Sequence, residues 1–267
     1  MFEYSFFNHA ALASLFAAIS CGIIGTYIVS RRIVFISGGI THASFGGIGI
    51  GYFLGLNPIF GAAIFALFSA LGMEYFTRSA KLREDSSIAI WWSLGMAIGI
   101  IFIYLTPGYA PNLMSYLFGS ILTVSNSEIY FMAALSLVLI VVFTLMHRAI
   151  LSVAFDESFA KTTGLPVQSI SYFMMCLIAI TIVLNIRVVG IILIMSLLTI
   201  PQATANLFTQ NFSKMMWLSV LVAFIGSFGG LLLSFYADIP SGATIIIVLI
   251  ALFGLCKVAS SRWRKAK

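Results

Sequence analysis

One histidine sits where a histidine is costly. His42 lies about ten residues past Arg32, which at about 1.5 Å per residue is roughly 15 Å into a helix. An ionisable group that deep in a hydrocarbon layer is expensive and marks an ion pathway, and neutral imidazole is a common zinc ligand. The plainer reading is an imidazole hydrogen-bonded to a neighbouring helix. Asp238, before Pro240-Ser241-Gly242, either receives a cation at the mouth of a pathway or caps the next helix. Asn185, Gln202 and Asn206 add polar groups to apolar runs, and Asn185 joins His42 and Asp238 as a candidate pathway residue. Asp85 either complements a helix dipole from the first turn or makes a gate contact with Arg83 or Arg31. Arg187 stands alone among its neighbours, and either meets an acid on a partner or snorkels to the interface. His9 and His147 read as interfacial.

Other chemistry finds no support. There is no Walker A sequence, no His-Glu-x-x-His and no Gly-x-Ser-x-Gly elbow. No intramembrane carboxylate pair offers an acid/base dyad. Cys21, Cys176 and Cys256 lie inside apolar runs without pairing or metal-type spacing. Gly47-Ile48-Gly49 has no strand before it and no ribose acid after it, so it is not a dinucleotide fingerprint. A helical bundle without catalytic groups is most simply a translocation pathway, and not an enzyme.

The longest polar interruption runs from Leu151 to Ser169. Asp156, Glu157 and Ser158 look like a helix N-terminus. Phe155, Phe159 and Ala160 would share a face, and Gly164 followed by Pro166 would stop the helix. Two readings stay open from the residues alone: a connecting loop with a surface helix, or a helix docking into a groove on a cytoplasmic partner.

These residues must be positioned by membrane spans. The chain has 267 residues, 61% hydrophobic and 8% charged, and a mean hydropathy of +1.10. Soluble domains carry about a quarter charged residues, so a water-soluble domain is excluded. Spans need about 20 apolar residues each. They are expected near 8–30, 36–55, 59–77, 87–105, 128–147, 168–186, 188–208, 215–236 and 241–257. A half-helix or re-entrant piece is expected near 116–124, after Pro107, Gly108 and Pro111. Gly47, Gly51 and Gly55, Gly95 and Gly99, and Gly226 and Gly230 let helix backbones approach closely. The expected fold is therefore an all-α polytopic bundle of eight or nine transmembrane helices plus the half-helix, forming one domain over 1–267. It includes a cytoplasmic loop at about 149–167 and a basic tail at 257–267. With nine passes and the N-terminus outside, every base of the 14 except Arg187 lies on the cytoplasmic side, as the positive-inside rule requires. The net charge of +6 is thus orientation charge, and no nucleic-acid partner is implied. Glu3 is the only charge before Arg31, so the first run reads as a retained helix and not a signal peptide.

Over about residues 10–258 the chain resembles the permease subunits of bacterial ABC importers for zinc, manganese and related metals, and the zinc permease most. The blocks that carry this are Arg31-Arg32 with Ile40-Thr41-His42-Ala43-Ser44, Glu84-Asp85-Ser86-Ser87-Ile88, Met114-Ser115-Tyr116-Leu117-Phe118-Gly119, Asp156–Gly164, Val189-Gly190 with Ser196-Leu197-Leu198, Ile200–Ala205, and Ser234–Gly242. The resemblance implies a bacterial inner-membrane protein acting as a homodimer. It also implies two cytoplasmic ATPase subunits and an extracytoplasmic metal-binding protein. The loop becomes a docking element, with Asp156, Glu157, Ala160 and Gly164 at coupling positions beside Phe155 and Phe159. No tightly bound cofactor is implied, only a transported divalent metal, zinc first, with His42 and Asp238 as candidate ligands.

The chain departs from that family at two positions. Gly38 stands where an aspartate usually precedes the histidine by four residues, and Ser120 replaces an acid after the Phe-Gly. The rival is a secondary metal transporter driven by an ion gradient, which would need titratable groups within its spans; only His42 qualifies clearly.

Overall fold

A chain crossing hydrocarbon must satisfy every backbone amide and carbonyl internally, and the apolar runs of this protein do so as helices. The computed structural model describes residues 5–107, 119, 121 and 124–265. Its helices are α1 (Ser5–Ser30), α2 (Val34–Phe53), α3 (Pro58–Arg78), α4 (Glu84–Leu105), α5 (Asn126–Leu145), α6 (His147–Phe155), α7 (Glu157–Thr162), α8 (Val167–Val189), α9 (Ile191–Leu197), α10 (Ile200–Asn206), α11 (Phe212–Ala237) and α12 (Ser241–Lys265). Among the described residues, 8 are long and apolar enough to span: α1 to α5, α8, α11 and α12.

The span expected at 188–208 is not one helix. Gly190, at φ 83°, ends α8, and the chain breaks again at Leu198–Thr199 before Pro201. Proline lacks the amide that would carry a helix through that point. The two short pieces nonetheless return the chain across the bundle. Gly190 lies at the end of α8 away from α7. Phe212, at the start of α11, has its ring 6.5 Å from Phe155 and 5.9 Å from the His147 imidazole. The bundle thus has eight continuous crossings and one broken one. Its basic end collects Arg31, Arg78, Lys161 and Lys214. The expected half-helix falls mostly outside the described residues, as do Met114–Phe118, Gly108, Pro111 and Ser120. Gly119 is described, and a Cβ on it would meet the Gly190 backbone nitrogen at 2.4 Å.

Two helix groups meet in the bundle. In one, α2 packs on α3 and α4; in the other, α1 packs on α5 and α11, and α11 on α12. Helix α8 contacts α1, α2 and α3. The glycine rows make the first group tight. A Cβ on Gly47 would lie 2.1 Å from the Gly61 carbonyl oxygen, and one on Gly95 2.4 Å from the Ala43 Cα. Gly226 and Gly230 play the same part against Leu249 and Ile245. Gly55 does not: nothing lies within 4 Å of it, and its φ of +66° marks it as a turn residue after α2.

Candidate transport pathway and coupling site

His42 projects from the middle of α2, half-buried. Its imidazole stacks on the Trp92 indole of α4, with ring centroids 4.2 Å apart and planes 8° from parallel. Gly38 lies one turn earlier on the same face. A Cβ there would meet the Met195 methyl of α9 at 2.8 Å, the Met195 sulfur at 3.6 Å and the Trp92 ring at 3.5 Å. The face therefore gathers an imidazole, an indole and a thioether from three elements, at the depth the sequence indicates for His42. The position without a side chain is occupied by Met195, and Gly38 and Gly39 are both helical and buried.

The other candidates lie elsewhere. Asn185 is fully buried, donating to the Ser20 hydroxyl at 3.3 Å and the Thr181 carbonyl at 2.8 Å, so it joins α8 to α1. Gln202 likewise donates to the Cys21 carbonyl at 2.9 Å and the Leu197 carbonyl at 3.1 Å. Asp238 is exposed and closes α11 in the left-handed conformation, φ 53° and ψ 45°. It belongs to the α11–α12 turn, away from the α2–α4 group. Among the described residues no three His, Cys, Asp or Glu side chains gather as a metal cluster. Asp85 is exposed in the first turn of α4 and Arg83 is its N-cap. Neither is in an ion pair among the described residues. Arg187 does have an acid: Glu128 at 3.0 Å, within its own chain.

The polar loop forms two helices around Asp156. The Asp156 carboxylate accepts from the Phe159 amide at 2.9 Å, as an N-cap does. Gly164, at φ +79°, follows the stop of α7. Phe155 and Phe159 are 61% and 59% exposed. They flank an open groove of about 470 Å³, lined also by Leu151, His147, Asn211 and Phe212. Ala160 does not share that face; it is fully buried and seats α7 on the bundle.

Glu157 also turns inward. It ion-pairs with Arg31 at the end of α1 and with Arg78 at the end of α3, at 2.7 Å. Arg78 has a second acid in Glu74, one turn back in α3. Both guanidiniums donate to the Ser171 hydroxyl of α8, at 3.1 Å and 2.7 Å, and Arg31 donates to the Tyr27 hydroxyl at 2.7 Å. Burial works against the charge on Arg31, but Tyr27 and Glu157 outweigh it and hold its pKa above the ordinary value. This junction was missed from sequence. The one signal for it was an acid, Glu74, at four-residue spacing before Arg78 in an otherwise apolar run.

The architecture and the exposed helix at the basic end point to a transport family, and comparison decides which. The family model described as the ABC 3 transport family matches residues 3–259. The chain belongs to that family. It is 41% identical to a probable metal transport system membrane protein of Chlamydia pneumoniae, over 89% of this chain and 83% of that one. It is 32% identical to the manganese transport system membrane protein MntC of Halalkalibacterium halodurans, over 96% of this chain and 87% of that one. Among solved structures it superposes on PsaBC from Streptococcus pneumoniae, in complex with Fab, with a TM-score of 0.84 and 27% identity, covering 95% of this chain and 91% of that one.

Proposed function

We propose that this chain is the permease of an ATP-driven importer for a divalent transition metal in a bacterial inner membrane. It works as a homodimer with a cytoplasmic ATPase pair and an extracytoplasmic metal-binding protein. The observation that carries this, beside family membership, is the α6–α7 corner at the basic end: Phe155 and Phe159 are exposed on either side of the Asp156 N-cap, beside an open groove. Large apolar side chains left in water suit a docking surface. The basic end is then cytoplasmic by the positive-inside rule. Nine crossings put the N-terminus outside and the C-terminus inside.

In this reading the metal passes the His42 face, with Trp92 and Met195 beside the imidazole, and Asp238 receives the cation apart from that face, in the exposed α11–α12 turn. Nitrogen and thioether donors suit zinc better than manganese, which prefers oxygen. Zinc is therefore the first cargo to test, although a relative is named for manganese.

The test is co-purification with candidate ATPase and binding-protein subunits, then ATP hydrolysis in lipid vesicles. Stimulation by the loaded binding protein, greater for zinc than manganese, is the expected result. Metal flux that follows a proton gradient with no ATPase bound would overturn the reading and make this a secondary transporter.

A further inference from the structure

Glu157 faces the opposite way from the phenylalanines on either side of it, Phe155 at the end of α6 and Phe159 in α7. The same oxygen, Oε1, pairs with Arg31 and with Arg78, and Arg78 reaches Oε2 at 3.2 Å as well. Two positive groups on one oxygen repel each other, and that repulsion is offset by the carboxylate between them, with the Ser171 hydroxyl they share. Arg78 keeps Glu74 if Glu157 leaves. Among the described residues Arg31 has no other ion-pair partner.

The location of the pairing matters. Helix α1 belongs to one packing group and α3 to the other, and Glu157 ties their basic ends across the divide. The side chains of Arg31 and Arg78 are each 17% exposed, and that of Glu157 is 30% exposed, so the cluster is partly sheltered from screening by salt. Helix α7 is short and seated by one small residue, Ala160, so a displacement of α7 acts on Glu157 directly.

We propose that Glu157 is the positioning residue that links the docking helix to the bundle, a single carboxylate clasping the like-charged ends of α1 and α3. Withdrawal of α7 removes the shared carboxylate, and the two guanidiniums push the ends of the two helix groups apart. Return of α7 closes them. The Ser171 hydroxyl accepts a hydrogen bond from each guanidinium and marks where α8 joins the clasp. The transport role of this step rests on the reading of α7 as the ATPase-docking helix.

The test uses the whole importer in lipid vesicles, comparing wild type with Glu157→Gln, Glu157→Asp and Arg31→Gln. Arg31 lies outside the docking helix, so in Arg31→Gln the ATPase should co-purify at the wild-type level and basal hydrolysis should persist. Stimulation by loaded binding protein should fall at least about fivefold in Glu157→Gln and Arg31→Gln, with Glu157→Asp in between. A damaged fold would lower basal hydrolysis and stimulation together. Arg31→Gln keeps the Glu157–Arg78 pair, so it stands in if Glu157→Gln fails to assemble.

A second readout needs no partner. Spin labels at Arg32→Cys and Ser79→Cys, both exposed positions, should separate on Glu157→Gln in the permease alone, in a background freed of native cysteines. Wild-type stimulation in both variants, with an unchanged label distance, would overturn the clasp. Failure of the wild-type permease to bind any ATPase would instead overturn the docking reading, and the label distance would still decide the clasp.

Discussion

The His42 imidazole lies flat on the Trp92 indole, 4.2 Å between ring centroids. The stack fixes the plane of the imidazole, and with it the direction in which a ring nitrogen can meet a passing cation. His42→Ala should abolish zinc-stimulated flux while leaving ATPase association intact. Trp92→Ala removes the support and not the donor, so flux should fall about 10-fold, as losses around a metal ligand do. Trp92→Phe should restore part of it. Metal uptake into vesicles checks all three; equal activity in His42→Ala and wild type would place the pathway elsewhere.

Phe155 and Phe159 reach solvent from either side of the N-cap. Neither is a buried core residue, and Phe159→Asp is the cleaner change because Phe155 also meets the ring of buried Phe212 at 6.5 Å. The ATPase should bind at least about 30-fold more weakly, the effect of losing a buried aromatic anchor at an interface, about 2 kcal/mol. Co-purification at graded salt is the measurement. Unchanged recovery would show that another surface carries the docking.

Helix contact through backbone predicts a steep penalty for any side chain at Gly95. Its Cβ would stand 2.4 Å from both the Cα and the carbonyl oxygen of Ala43, atoms that cannot rotate away. Gly95→Val should cost on the order of 1–3 kcal/mol or more, read as a lower thermal midpoint in detergent. Gly55→Ala is not comparable, because its penalty comes from its positive φ alone.

At the start of α5 a capping box joins Ser125 and Glu128. The Ser125 amide donates to Glu128 Oε2 at 2.8 Å, and the Glu128 amide donates to the Ser125 hydroxyl at 3.4 Å. Ser125→Ala should destabilise by about 1 kcal/mol, with little effect on the basic end. Hydrogen exchange confined to the first turn of α5 would report it.

The spans were legible because lipid imposes one rule on composition and length, and the eight continuous helices obey it. The seventh expected span, near 188–208, crosses in two pieces, because hydropathy records apolar content and not continuity, and Gly190 and Pro201 stand where the helix breaks. The depth of His42 followed from a count along a helix. Its neighbours Trp92 and Met195 did not, because they come from elements 50 and 153 positions away. The same limit hid the pairing of Glu157 with Arg31 and Arg78. A helix wheel puts Phe155, Phe159 and Ala160 near one another, but it does not say which of them meets water. Ala160 is buried because it is small enough to let α7 rest on the bundle.

The broken crossing divides labour within one stretch of chain. Residues of α10 are anchored: Gln202 is tied to α1 through the Cys21 carbonyl. Residues of α9 lie between Gly190 and Thr199, with Ile191, Leu193, Ile194 and Leu197 buried, and Met195 is carried on them. The same Gln202 amide also bonds the Leu197 carbonyl at the end of α9, so one side chain pins the second break to α1. The two breaks give α9 a direction of its own, and that direction sets the Met195 thioether beside the His42 face while α10 keeps its register on α1.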